Sequence, residues 1–210
     1  MADDRRLVHL VDDDEAVRRS ASFLLRIEGF AVKTYASGVE LLDRIGDLPA
    51  GCILLDVRMP GMNGLEVQQA LRERGSRLPV IIMTGHGDVT VAVQAMKAGA
   101  VDFIEKPFEK AVMLTALEEG FARLERSGRI AARAGEARAR LEVLTARERE
   151  VLEGLVRGHP NKTIAYDLEI SPRTVEIHRA NVMTKLGVSN LSEALRIAFA
   201  AGFGEDEAAS

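Results

Sequence analysis

Gly51-Cys52-Ile53-Leu54-Leu55-Asp56 is an apolar run that ends in a carboxylate, and Val57-Arg58-Met59-Pro60-Gly61-Met62-Asn63-Gly64 follows it as a turn cluster. A run this apolar, without polar alternation, reads as a strand buried on both faces, the mark of a parallel sheet with helices above and below. Asp56 then emerges at the strand's carboxyl end, the edge at which open α/β sheets bind ligands. The plainer reading is a solvated aspartate opening a turn. Two other stretches weigh against it.

Asp12-Asp13-Asp14 directly follows the apolar stretch Leu7-Val8-His9-Leu10-Val11. If the strands ending at Val11 and Asp56 are neighbours, Asp12, Asp13 and Asp56 converge, and three carboxylates in one cleft repel unless one takes a proton. A hard divalent cation removes the conflict, and Mg²⁺ suits a few carboxylates plus water and phosphate oxygens. Lys106-Pro107, after Val101-Asp102-Phe103-Ile104-Glu105, would bring a lysine from the end of a fifth strand.

The 210 residues suffice for two modest domains, and the net charge of −4 excludes an overall polycation. One cysteine excludes a disulfide framework, and Cys52, inside the apolar run, reads as a buried small hydrophobe. No stretch resembles a signal peptide or a membrane span, so a cytoplasmic protein without membrane association is expected.

Strands alternate with helices along the first half. Glu15 to Arg26 is helical, Phe30 to Tyr35 a second strand, Ser37 caps a helix through Ile45, and Asn63 caps the helix carrying Leu65, Val67, Ala70 and Leu71. Pro79 to Met83 is a fourth strand. This alternation predicts right-handed βαβ units and a doubly wound α/β fold with a five-stranded parallel sheet. Thr84 could offer its hydroxyl to the Asp56 cleft or could simply cap the turn. The helix expected from Asp88 to Ala98 is apolar nearly all round. With Val89, Val93 and Met96 facing the sheet, Val91, Ala95 and Ala98 would form a second apolar side that needs a partner.

The acidic pair, the strand-end aspartate, Thr84 and Lys106-Pro107, in this order, make the first 120 or so residues resemble a two-component receiver domain. Thr84-Gly85-His86-Gly87-Asp88 and Met96 to Phe108 resemble its FixJ subfamily. That resemblance implies a flavodoxin-like strand order 2-1-3-4-5 and Asp56 as phosphoacceptor. It implies Mg²⁺ held by Asp12, Asp13, Asp56 and the Arg58 backbone carbonyl, phosphoryl contacts from Thr84 and Lys106, an aromatic switch at Phe103 and a cis Lys106-Pro107 bond. None of the four histidines, His9, His86, His159 and His178, has metal-ligand spacing or looks like a phosphodonor. The donor is expected to be a separate sensor histidine kinase. A rival reading is a phosphoryl-transfer enzyme of the aspartate-nucleophile phosphatase type. Those carry a second aspartate two positions after the nucleophile, where this chain has Arg58.

The predicted receiver spans 1–124. From 125 to 142 the chain is Ala, Arg and Glu with glycines and no evident apolar stripe, which predicts a partly helical linker interrupted at Arg126-Ser127-Gly128-Arg129. Thr145 and Glu148 then form a capping box, and helical segments are expected near 146–157, 161–168, 172–186 and 190–200. Pro172 at a first helical position fits the third. A helix, a tight turn and a longer helix make a helix-turn-helix, whose second helix enters the major groove. At 100° per residue Val175, Val182 and Leu186 face a core. Arg173, Glu176, Ile177, Ala180 and Thr184 face out, where Arg can read guanine, Glu cytosine and apolar groups thymine methyls. Thr174, His178, Asn181 and Lys185 form a flank suited to phosphates. An ordinary amphipathic helix of a protein-binding domain is the plainer alternative, and thirteen basic against ten acidic residues over 125–203 barely favour DNA.

Leu144 to Leu152, Asn161-Lys162-Thr163-Ile164-Ala165 and Ser171 to Arg179 are similar to LuxR-type DNA-binding domains. The similarity covers an expected domain at 143–203 and adds Thr163 to the DNA-contacting set. Glu176 stands where relatives often carry a basic residue. With the receiver, the resemblance implies a FixJ-like transcription factor, not an enzyme acting on separate substrates. Its expected partners are promoter DNA, a second copy joined on phosphorylation through Val91, Ala95 and Ala98, and RNA polymerase. A disordered tail is expected at 204–210.

Overall fold

The computed structural model describes residues 6–85 and 89–204, which form two compact units divided between Ser127 and Gly128. In the first, β1 (Leu7–Val11), β2 (Ala31–Tyr35), β3 (Cys52–Asp56), β4 (Val80–Thr84) and β5 (Asp102–Glu105) pair in parallel in the order β2-β1-β3-β4-β5. The doubly wound order expected from the sequence is the one observed. Helices α1 (Glu15–Ile27), α2 (Gly38–Leu42), α3 (Gly64–Glu73), α4 (Val89–Lys97) and α5 (Lys110–Leu141) alternate with the strands.

Successive residues of a strand point to opposite faces, and the central strands β1, β3 and β4 are buried on both. Val8, Leu10, Cys52, Leu54 and Ile81 join Leu25 of α1 and Leu117 of α5 on one side. Val11, Ile53, Leu55 and Ile82 join Leu41, Val67 and Ala95 on the other. Full burial of an aliphatic side chain is worth roughly 1.5–3 kcal/mol. The continuous apolar run of β3 is therefore what a strand sandwiched between two helical layers requires. At Gly120 an added Cβ would lie 2.9 Å from the Cys52 Sγ, so only glycine lets α5 pass this close to β3. Burial pushes the Cys52 thiol up to about 12, which keeps it an inert hydrophobe.

Local capping follows the sequence. Ser37 accepts from the Glu40 N–H, and Asn63 and Glu66 form a reciprocal capping box at α3. The helix after Ser37 is shorter than expected. It stops at Leu42 and resumes as a 3-10 turn at Ile45–Asp47.

Two expectations need correction. First, α4 is rotated relative to the expected facing. Ala92 and Ala95 are buried and Val91 packs into the core, while Val89, Val93 and Met96 are 72%, 48% and 42% exposed. Ala95 is therefore core and Val91 and Ala98 are half-buried, so these three residues do not form a free apolar side. Periodicity could not phase a helix apolar all round. The small alanines allow close approach, and Gln68 of α3, buried beneath, donates from Nε2 to the Ala95 carbonyl at 3.2 Å. Second, α5 runs unbroken to Leu141, across the expected interruption and through most of the expected linker. Glycine in a helix costs about 1 kcal/mol. That cost is offset where Ala137 and Leu141, four apart on one face, are buried with Leu144, Leu152 and Val182 in the core of the second unit.

In that second unit α6 (Ala146–Val156), α7 (Asn161–Asp167), α8 (Pro172–Leu186) and α9 (Leu191–Ala200) fall close to the four expected segments. Thr145 and Glu148 form the capping box, and Ser171 caps α8 with Pro172 in its first turn. Val175, Val182 and Leu186 are buried as expected. Among the described residues no helix is long and apolar enough to cross a membrane. His86, the expected helix start at Asp88 and the tail beyond Gly204 lie outside the described residues.

Candidate functional site

The register between β1 and β3 brings the acidic residues together. Val11 pairs with Leu55, so the residues that follow, Asp12 and Asp56, leave the sheet side by side. Asp12, Asp13 and Asp56 each offer a carboxylate oxygen within 4.8 Å of the others, with Asp12 and Asp56 buried and Asp13 exposed. Asp14, the third of the acidic run, instead caps α1 by accepting from the Ala16 N–H at 2.7 Å. The chain turns tightly behind Asp56. An added Cβ at Gly64 would lie 2.3 Å from the Asp56 carbonyl oxygen, which fixes glycine there.

Lys106 reaches into this cluster from just past the end of β5, immediately before a cis Lys106-Pro107 bond. Its Nζ donates to Asp12 Oδ2 at 2.6 Å and to Asp56 Oδ1 at 2.8 Å. The Asp12 carboxylate is further fixed by the Asp14 N–H at 2.9 Å. Burial raises the Asp56 pKa above the ordinary range; Lys106 opposes this, while Asp12 and Asp13 add to it. Burial also disfavours the Lys106 ammonium, but its bonds to Asp12 and Asp56 outweigh that and hold its pKa above the ordinary value. Three carboxylates against one ammonium leave excess negative charge among hard oxygen donors, a donor set that fits Mg²⁺.

Thr84 is buried at the end of β4, and its carbonyl accepts from the Lys106 N–H at 2.7 Å. It also lines a cavity of about 300 Å³ between α4 and β5, together with Val89, Val93, Met96 and Phe103. Phe103 is 43% exposed. Thr84 thus joins the backbone of Lys106 to the exposed apolar α4–β5 face. Arg58, two residues beyond Asp56, is exposed.

On α8 Arg173, Glu176, Ile177, Ala180, Asn181 and Thr184 are exposed, as the helical angle predicts. Arg173 Nη1 and Glu176 Oε2 pair at 3.0 Å on the outer face. Thr174 bonds to Ser171, its hydroxyl lying 2.8 Å from Ser171 Oγ, and Thr163 is half-buried. Two flank residues do not sit as expected. His178 is half-buried with its Nδ1 enclosed and without a partner, and Lys185 Nζ donates to the buried Glu148 carboxylate at 2.7 Å. Lys185 faces α6 because the capping-box glutamate there needs a counter-charge. The sequence signals the capping box but not this second role of Glu148. Also unanticipated is Arg179, which holds Asn161 of α7 at 2.7 Å and so ties the two helices of the helix-turn-helix.

An acidic strand-end cleft on a doubly wound sheet, followed by a helix-turn-helix, defines a signalling receiver coupled to a DNA-binding unit. The chain matches the response regulator receiver domain over residues 8–118 and the bacterial regulatory proteins of the luxR family over residues 142–198. It is 52% identical over 195 residues to the transcriptional regulatory protein FixJ of Azorhizobium caulinodans, covering 93% of this chain and 92% of that protein. It is 50% identical to FixJ of Rhizobium meliloti, covering 94% and 97%. Full-length FixJ from B. japonicum is similar in structure, with a TM-score of 0.59 at 45% identity over 94% of this chain and 97% of that one. The response regulator StyR gives 0.74 at 37% over 93% and 98%. The chain belongs to the two-component response regulators of the FixJ subfamily, transcription factors that join a receiver to a LuxR-type DNA-binding domain and are not conventional enzymes. A receiver implies a sensor kinase as partner, and a LuxR-type domain implies DNA.

Proposed function

We propose that this response regulator accepts a phosphoryl group on Asp56 from a sensor histidine kinase in a Mg²⁺-dependent reaction, dimerises through its receiver and then binds promoter DNA in the cytoplasm to regulate transcription. The observation that carries this reading is Lys106, held 2.6 Å from Asp12 and 2.8 Å from Asp56 beside a third carboxylate. An Asp56 oxygen attacks the phosphorus of a phosphohistidine. The new O–P bond forms as the N–P bond breaks, and the electron pair leaves on the imidazole. Such transfer needs positioning and charge neutralisation more than covalent assistance. Asp12, Asp13, Asp56 and the Arg58 backbone carbonyl would hold Mg²⁺, which when bound supplies positive charge where carboxylate and phosphoryl oxygens crowd. The Lys106 ammonium and the Thr84 hydroxyl hold phosphoryl oxygens.

Thr84 drawn toward the phosphoryl group leaves room in the adjoining cavity for Phe103 to turn inward. The exposed face that this reshapes, carrying Val89, Val93 and Met96, is the dimer surface we propose in place of Val91, Ala95 and Ala98. Dimerisation raises affinity because two helix-turn-helix heads grip two half-sites. In the bound state Arg173, Glu176, Ile177 and Ala180 read base edges. Thr163, Thr174, His178 and Asn181 meet the backbone, and RNA polymerase is the downstream partner. The test is binding of the full chain to genomic DNA fragments with and without acetyl phosphate and Mg²⁺. Tighter binding with the phosphodonor in wild type, and no gain in Asp56→Asn, is expected; an equal gain in both would overturn the reading.

A further inference from the structure

Asp12 is fully buried, and its polar groups are satisfied by separate parts of the fold. Its N–H donates to the Tyr35 carbonyl at the end of β2 at 3.2 Å. One carboxylate oxygen accepts from the Asp14 N–H and the other from Lys106 Nζ. The carbonyl is the remaining group. It lies past Val11, where β1 and its ladder end, and a backbone carbonyl held away from water needs a donor. Arg18 of α1 supplies one, its Nη1 donating to the Asp12 carbonyl oxygen at 2.7 Å.

The spacing explains why position 18 serves. Asp14 caps α1, and the Arg18 N–H donates to the Asp14 carbonyl at 3.0 Å, which puts Arg18 one helical turn in. Helical side chains lean toward the N-terminus of their helix, so a long side chain at this position turns back onto the acidic loop. Arg18 is half-buried there, whereas Arg19 points outward and pairs with Glu15 on the surface.

Asp13 depends on this arrangement more than Asp12 does. It is exposed, and among the described residues its carboxylate has no hydrogen bond or ion pair, so the backbone sets its direction. The peptide unit is rigid and planar. Pinning the Asp12 carbonyl therefore fixes the plane from which Asp13 departs.

We propose that Arg18 is a positioning residue of the acidic cleft: by holding the Asp12 carbonyl it keeps the Asp12 and Asp13 carboxylates in the arrangement that takes a divalent cation. This rests on the Mg²⁺ site proposed above. Charge alone argues the other way, because a guanidinium close to the cluster repels an incoming cation. The two effects of Arg18 have opposite signs, and removing it shows which is larger.

The test is heteronuclear NMR titration of the full chain with MgCl₂, without a phosphodonor, in wild type, Arg18→Met, Arg18→Lys and Arg19→Met. Methionine keeps an apolar stem and removes the donors. Arg18→Met should raise the apparent Mg²⁺ dissociation constant about threefold or more, although it deletes a positive charge. Loss of an outer partner of a metal ligand typically costs roughly tenfold or more, and the lost repulsion offsets part of that. Arg18→Lys, which restores a charged donor, should bind more tightly than Arg18→Met. Arg19→Met, the control for charge alone, should leave the constant unchanged or lower it. Arg18→Gln, whose amide stops short of the carbonyl, should behave as Arg18→Met does and replaces it if the methionine variant does not fold. With acetyl phosphate, a small donor that needs no docked kinase, the Mg²⁺ concentration for half-maximal phosphorylation should rise by the same factor while the rate at saturating Mg²⁺ stays within about twofold of wild type. Mg²⁺ binding by Arg18→Met within about threefold of wild type or tighter, no recovery in Arg18→Lys, or an equal loss in Arg19→Met would overturn the role of Arg18. A wild type that takes no Mg²⁺ at this cluster would instead overturn the site itself.

Discussion

Lys185 Nζ lies 2.7 Å from Glu148 Oε2, which joins the last turn of α8 to the capping box of α6. Burial alone would push the Glu148 pKa up, but the bonds from Lys185 and Thr145 outweigh it and hold the carboxylate below the ordinary range. The Glu148 side chain is 5% exposed, so removing its partner strands a buried charge. Lys185→Ala should destabilise the DNA-binding unit by about 2 kcal/mol, between the values for screened surface pairs and fully buried ones. The check is the urea midpoint of this unit. An unchanged midpoint with a flatter salt dependence of DNA binding would instead make Lys185 a phosphate contact.

His9 is fully buried, its Nδ1 3.0 Å from the Tyr35 hydroxyl and its Nε2 3.0 Å from the Pro49 carbonyl. Burial lowers its pKa below the ordinary 6.5, with Lys33 adding to the shift and the Pro49 bond opposing it. Because the unfolded chain takes up this proton at higher pH than the folded one, the stability from neutral His9 is complete above pH 6.5. It falls as the pH drops from there toward the folded pKa. Thermal melts of the receiver should show this loss, at most about 1.4 kcal/mol per pH unit from one group. His9→Gln should remove the slope, and a slope unchanged in that variant would assign it to other groups.

Arg173 and Glu176 pair at 3.0 Å on the outer face of α8, so each must exchange its partner for a base edge on binding. Arg173→Ala should cost roughly 1–3 kcal/mol at one base position and leave substitutions elsewhere in the operator unaffected. Anisotropy titrations on single-base operator variants separate the two outcomes. A uniform loss at every position would place Arg173 on the phosphate backbone.

The sheet and its helices were legible because β3, with its residues buried on both faces, the capped helix start at Asn63 and Pro172 at the start of α8 carry local signals that the tertiary structure reinforces. The acidic cluster was legible because parallel register brings strand ends together. What the sequence hid depended on tertiary partners. A helix apolar all round gives no phase, so the facing of α4 was decided by its small alanines. Lys185 on a polar flank gives no hint of the buried glutamate opposite it. The left-handed Glu169, at φ 55°, occupies a turn position where sequence preference points to glycine or asparagine.

The exposed α4–β5 face gives a direct test of dimerisation. Val93 is 48% exposed, so Val93→Asp should change stability by no more than about 0.5 kcal/mol. It should accept phosphate normally yet stay monomeric by light scattering with acetyl phosphate, while wild type doubles in mass. Val91→Asp should instead lower the melting temperature, because Val91 packs against the core. A Val93→Asp protein that dimerises like wild type would move the interface elsewhere.

The central claim is that Asp56 carries the phosphoryl group, and site-mapped intact mass spectrometry after incubation with acetyl phosphate and Mg²⁺ tests it most directly. Asp56→Asn keeps the shape of the side chain and removes its nucleophile. One added phosphoryl group per chain is expected in wild type, mapped to the peptide containing Asp56 and absent from Asp56→Asn. Stable labelling of the Asp56→Asn protein at another residue would contradict the account.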